Sequence, residues 1–276
     1  MACTVAPARK GFTMTAAEIP EAFELRLKKL RTFNVVVGII LLAEGILMFF
    51  LSNKFALPIT TEYLGNGLGR AFPIPVHRVV GTVRLGPLVA LFLLLSGVAL
   101  LLMAAPGINN WYKRHLLQGV NPGRWIEYSI TASLMIVVIA MLTGIYDLVT
   151  LILLFFMNAT MILFGWMMEL HNQTTEKTNW TAFYFGCIAG AVPWVIIWMY
   201  FISAAADPTS KMPGFVYGVM ISLFILFNIF AVNMVLQYKK VGPWKDYLFG
   251  EKVYIILSLT AKSLLAWQVF FGTLRK

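Results

Sequence analysis

Residues 253–274 read VYIILSLTAKSLLAWQVFFGTL, an apolar run long enough to cross the ~20 residues of a bilayer's hydrocarbon core, with one charge, Lys262, near its middle. Six runs of the same kind precede it: Phe33–Leu51, Leu85–Ala105, Trp125–Ile145, Leu148–Met168, Ala182–Ile202 and Gly214–Leu236. The composition agrees, since 59% of the 276 residues are hydrophobic, 12% are charged and the mean hydropathy is +0.79. A soluble globular domain is excluded. The reading is an all-α membrane protein, a seven-transmembrane-helix bundle in a single membrane domain.

The 22 Lys and Arg outnumber the 12 Asp and Glu, for a net charge of +10. Because these basic residues border apolar runs, their partner is the bilayer surface and not nucleic acid. Fourteen fall on the side that holds the amino terminus and seven on the other. Cytoplasmic loops retain basic residues, so the amino terminus is expected in the cytoplasm and the carboxyl terminus outside the cell membrane. Cys3 and Cys187 have no metal-site spacing. The amino terminus lacks an apolar core ending in a cleavage site, so no cleavable signal peptide is expected.

Residues 1–32 read as a cytoplasmic tail. Within it Glu18–Arg31 has the period of an amphipathic interfacial helix, with Ile19, Phe23, Leu27 and Leu30 opposite Glu21, Glu24, Lys28 and Arg31, and Thr15 with Glu18 as a capping box. A plain extension of the first span is the alternative. The loop Ser52–Arg84, rich in Pro and Gly, suits a small hairpin that serves as a lid or subunit contact.

A lysine at mid-membrane costs on the order of 3 kcal/mol to insert and marks a functional site unless it only fixes helix packing. Of the acids, only Glu127 and Glu44 lie clearly inside apolar segments, so the expected buried set is two acids and one lysine. Glu127 is about 7.5 Å and Lys262 about 13.5 Å into their spans from one side. The lysine stem leans toward its helix amino terminus, which allows an ion pair. Ser258, four residues before Lys262, shares its face. Such a lysine can condense with an aldehyde, and the carboxylate keeps the resulting Schiff base charged. An aldehyde on a long apolar molecule needs an aromatic and sulfur-rich cavity. Tyr128, Met135, Met161, Trp194, Phe224, Phe227 and Trp267 could line one.

Several segments narrow the choice. Ser258-Leu259-Thr260-Ala261-Lys262-Ser263 with Ala266-Trp267-Gln268 resembles the last helix of the heliorhodopsins. So do Arg124-Trp125-Ile126-Glu127-Tyr128-Ser129, Asn158 to Trp166, Phe185 to Gly190 with Pro193-Trp194, and Pro213 to Gly218. The likeness runs from about Phe33 to the carboxyl terminus. It implies a rhodopsin-like domain over residues 33–276 with covalently bound all-trans retinal on Lys262, Glu127 as counterion and Ser258 beside the Schiff base. Thr131, Ile162 and Gly165 join the implied retinal pocket, together with Glu44, Tyr128, Met161, Trp194, Phe224 and Phe227. It further implies a light-sensing, signal-transducing photoreceptor and not an enzyme, in which retinal isomerises, the Schiff-base proton moves and the helices rearrange. A homodimer, an unidentified signalling partner, a strand pair in the first outer loop and an inverted orientation relative to other microbial rhodopsins are implied as well.

Two departures stand out. Many family members place His in the first two spans, where this chain has Leu41 and Leu100; its only histidines, His77, His115 and His171, read as loop residues. Glu44 stands where Gln is frequent in the family. This keeps a second reading open, a light-gated or light-driven proton conductor using Glu44 and Glu127. A third, a seven-span transporter or receptor for a non-retinal ligand, leaves Lys262 merely paired.

Overall fold

The computed structural model describes residues 21–65, 74–210 and 212–274. Seven of its helices are long and apolar enough to cross a membrane. In chain order the elements are α1 (Glu21–Leu51), strands β1 (Ala56–Gly65) and β2 (Ile74–Arg84), α2 (Leu85–Ala104), a short α3 (Ile108–Leu117), α4 (Pro122–Leu142), α5 (Leu148–His171), α6 (Thr181–Ala206), α7 (Gly214–Tyr238) and α8 (Tyr247–Val269). A π-helical turn, Phe270–Leu274, continues α8. The end of the bundle where α1 begins is called proximal below, and the end bearing the strands distal.

Around the ring, α1 packs on α2, α2 on α4, α4 on α5, α5 on α6, α7 on α8, and α8 back on α1. The step from α6 to α7 is bridged by aromatic rings: Trp194 and Trp198 on Phe224, and Phe201 on Tyr217. A close-packed apolar core fills part of the distal interior, with Phe92, Leu93, Ile136, Ile139 and Leu265 fully buried. The outer faces are apolar too, Phe50, Leu153 and Ile188 being among the most exposed side chains. Apolar residues on both sides of a helix are what a lipid-facing bundle requires.

The described part of the tail segment is the start of α1, which runs unbroken from Glu21 into the span. Glu21–Arg31 is therefore a helical extension and not a separate interfacial helix. The reason is packing: Leu27 and Leu30 are buried against the bundle, Arg31 donates to the Ala104 carbonyl at the end of α2, and Arg26 pairs with Asp246. Thr15 and Glu18 lie outside the described residues.

The hairpin is present, antiparallel, with Ala56 opposite Arg84 and Gly65 opposite Ile74. A register shift at Ile59/Thr60 turns Thr60 toward the α4–α5 turn, where its N–H donates to the Tyr146 carbonyl at 2.9 Å. This bond fixes the hairpin to the bundle's distal end.

Helix α3 was not expected. It buries Asn109, Tyr112 and Leu116 and leaves Ile108 and Trp111 exposed, an amphipathic period that its polar composition hides from a hydropathy ruler. Gly107 (φ 87°) precedes it and Gly119 (φ 72°) follows it, both in the left-handed region that favours glycine. Burial pushes the Tyr112 phenol above its ordinary range, so it stays a neutral hydroxyl. The histidines are not all in loops: His77 is on β2 beside Glu62, His115 is on α3, and His171 ends α5.

Candidate functional site: a buried lysine, its carboxylate and an apolar cavity

Lys262 projects from the middle of α8 and is 2% exposed. Its Nζ lies 3.0 Å from Glu127 Oε1 on α4 and donates to Ser258 Oγ at 2.5 Å. Nζ also lies 4.9 Å from the centre of the Tyr128 ring, on the cation-attracting face. Ser258 thus serves the lysine and not its own helix backbone. The same Glu127 oxygen accepts from Thr131 Oγ1 at 2.8 Å and from Ser96 Oγ on α2. A buried ion pair is tolerable when further donors satisfy its charges, and this one has two hydroxyls on the carboxylate and one on the ammonium.

Ser96 was not among the expected site residues. Its signal was available, because it is the sole polar side chain in the run from Leu85 to Ala104. A lone serine in an apolar helix more often bonds its own backbone, so composition alone did not single it out.

From this pair a cavity of about 650 Å³ extends between α4, α5, α6, α7 and α8. Tyr128, Met135, Met161, Ile162, Gly165, Trp194, Phe224 and Phe227 line it, as do Lys262 and Ser258. Thr131 is not in its wall and acts through Glu127. Trp267 and Glu44 are also elsewhere. The Glu44 carboxyl accepts from Ser263 Oγ at 2.6 Å and Trp267 Nε1 at 3.2 Å, in the contact between α1 and α8. Leu41 and Leu100 are buried in the apolar core.

Two glycines shape the cavity's width. A Cβ on Gly190 would meet Met161 Sδ at 2.3 Å, and one on Gly165 would meet the Trp125 ring at 2.4 Å. The Trp125 ring cannot retreat freely, since its Nε1 donates to Glu169 Oε2 at 2.6 Å. Gly165→Ala is therefore expected to destabilise the protein by about 1–3 kcal/mol through overpacking. Thermal unfolding in detergent checks this, and an unchanged midpoint would contradict the packing read here.

The expected buried set was too small. At the proximal end of the cavity Arg124, Glu169 and Glu251 are also buried, at 3%, 3% and 1% exposure. Arg124 Nη2 pairs with Glu169 Oε1 and lies 3.4 Å from Glu251 Oε1. Its guanidinium stacks 3.7 Å from the Tyr254 ring centre and 4.2 Å from that of Trp125. The Asn121 backbone N–H donates to Glu169 Oε2, and its side chain donates to Glu251 Oε2 and Tyr112. In sequence these charges sit at span ends, where solvation is the ordinary fate; α3 and the turn before α4 cover them instead.

A buried amine beside a carboxylate, opening into an apolar and aromatic cavity, fits an elongated apolar aldehyde. The volume is that of a small-molecule site, roughly 300–1,000 Å³. Seven membrane helices around a lysine so placed define the rhodopsin class. The chain belongs to the heliorhodopsin family, whose sequence model matches residues 30–274. No curated protein matches it. Membership makes it a multi-pass membrane protein of the rhodopsin class, retinal-binding and light-responsive.

Proposed function

We propose that this protein is a light sensor in which all-trans retinal is held covalently by Lys262 and balanced by Glu127. The observation that carries the reading is the Lys262 nitrogen, buried, 3.0 Å from Glu127 Oε1, at the wall of an apolar cavity. Retinal, when bound, supplies visible absorption and a double bond that isomerises in light. Lys262 and the cavity wall orient it, and Trp194, Phe224 and Phe227 exclude water from its apolar part. Glu127 holds the countercharge, steadied by Ser96 and Thr131, while Ser258 Oγ accepts a hydrogen bond from Nζ. A change of charge at this pair biases a conformational equilibrium of the helices. The route outward runs through Tyr128, whose hydroxyl donates to the Tyr254 carbonyl on α8.

The excess of Lys and Arg at the proximal end supports a cytoplasmic amino terminus and an extracellular carboxyl terminus. The family likeness supports a homodimer that signals to a partner. Sensing is adopted over proton conduction because Glu44 is engaged by Ser263 and Trp267, with Leu41 and Leu100 packed in the apolar core. Glu44→Gln is accordingly expected to leave the colour unchanged, and the parent to carry no steady photocurrent. A current in the parent that Glu44→Gln abolishes would favour the conductor.

The test of the reading is reconstitution with all-trans retinal. A visible band that hydroxylamine bleaches in light is the expected result. A protein that stays colourless contradicts it.

A further inference from the structure

We propose that Arg124, Glu169 and Glu251 form a second proton-binding site, in which the two carboxyls share one proton. With both carboxyls ionised the cluster would carry a net negative charge in a region shielded from water. Lys262, the other fully buried cation among the described residues, is already matched by Glu127. The other side chains around the cluster among the described residues carry no formal charge: the phenols Tyr112 from α3, Tyr238 from α7 and Tyr247 and Tyr254 from α8, and the amide of Gln237, which donates to Glu251. Two carboxyls on one cation in a low-dielectric site resist carrying two full negative charges.

The guanidinium meets both carboxyls through Nη2 alone. Arg124 Nε and Nη1 and the Tyr247 hydroxyl are buried and make no hydrogen bond among the described residues. The site also has two outlets. Trp125 and Tyr254 belong to both the cluster and the cavity wall, and Asn121 ties Glu251 to Tyr112 on α3. Gain or loss of the proton is therefore felt at the cavity on one side and at a surface helix on the other. The proposal stands on these contacts and not on retinal being bound.

Infrared spectra of the full chain in the dark, in ordinary and heavy water, with and without added retinal, test it. The parent is expected to show a protonated-carboxyl band that shifts on deuteration and is absent from both Glu169→Gln and Glu251→Gln, because the carboxylate left behind pairs with Arg124 alone. Arg124→Gln, lacking the cation, is expected to show twice the parent's intensity from the pair. Bands of other carboxyls cancel in the differences. A band that persists in both glutamine variants, or that is lost in only one, would overturn the shared proton. If one variant loses its helical circular dichroism, the other and the Arg124→Gln spectrum decide. Because the band is expected without retinal, failure here is separate from failure of the retinal reading.

Discussion

Lys262→Ala is expected to abolish colour completely, whatever retinal is added. The cavity wall remains, so retinal can still enter, but no amine is left at the position where Nζ now contacts Glu127 and Ser258. The substitution also strands Glu127, which keeps only Ser96 and Thr131 as donors. Removing one partner of a buried pair typically costs about 3–5 kcal/mol, enough to threaten folding. The double variant Lys262→Ala with Glu127→Gln leaves a neutral site and separates the two effects. It should fold with the parent's helical content and remain colourless. A visible band in either variant would remove Lys262 from its role.

The second large effect is expected from Glu127→Gln. The amide keeps the size of the side chain and removes the charge that balances the lysine nitrogen. The protonated pigment should absorb further to the red, because its ground state loses the anion that localises positive charge near Nζ. The visible band should also give way to a near-ultraviolet band at a pH lower by roughly 1–3 units, the usual influence of an adjacent opposite charge. Spectra across a pH titration read both. An unchanged spectrum and titration would take Glu127 out of the countercharge role. Ser96→Ala and Thr131→Val, each removing one donor to the same oxygen, should perturb the titration less, since a single hydrogen bond contributes ~1 kcal/mol.

Much of this site was legible in the chain itself. Hydropathy located the seven spans because their apolar runs match the bilayer's thickness, and the helices differ from the expected ranges mainly at their ends. Lys262 and Glu127 stood out because charges within such runs are rare, and the rise per residue placed them close enough to meet. What remained hidden depended on tertiary cover. Glu169 and Glu251 lie at helix ends and read as solvated, yet α3, Asn121 and the tyrosines enclose them with Arg124. Helix α3 itself is too short and polar for a hydropathy criterion. Glu44 shows the opposite case: the family likeness implied a place in the Lys262 cavity and its depth in the membrane agreed, but neither reports the rotation of this helix. Its carboxyl is turned to the Ser263 and Trp267 side of α8. Tail residues Glu21–Arg31 have a real amphipathic period, but the same period serves a helix packed on its neighbours as well as one lying on lipid.

The proposal that retinal is joined to Lys262 is tested most directly by chemical reduction and peptide mapping. The reconstituted protein is treated with borohydride, which fixes the link as a stable amine, then digested and weighed by mass spectrometry. The account predicts one retinyl mass per chain on the peptide that contains Lys262, and none after Lys262→Ala. Retinyl on another lysine, or on none in a coloured protein, would contradict it.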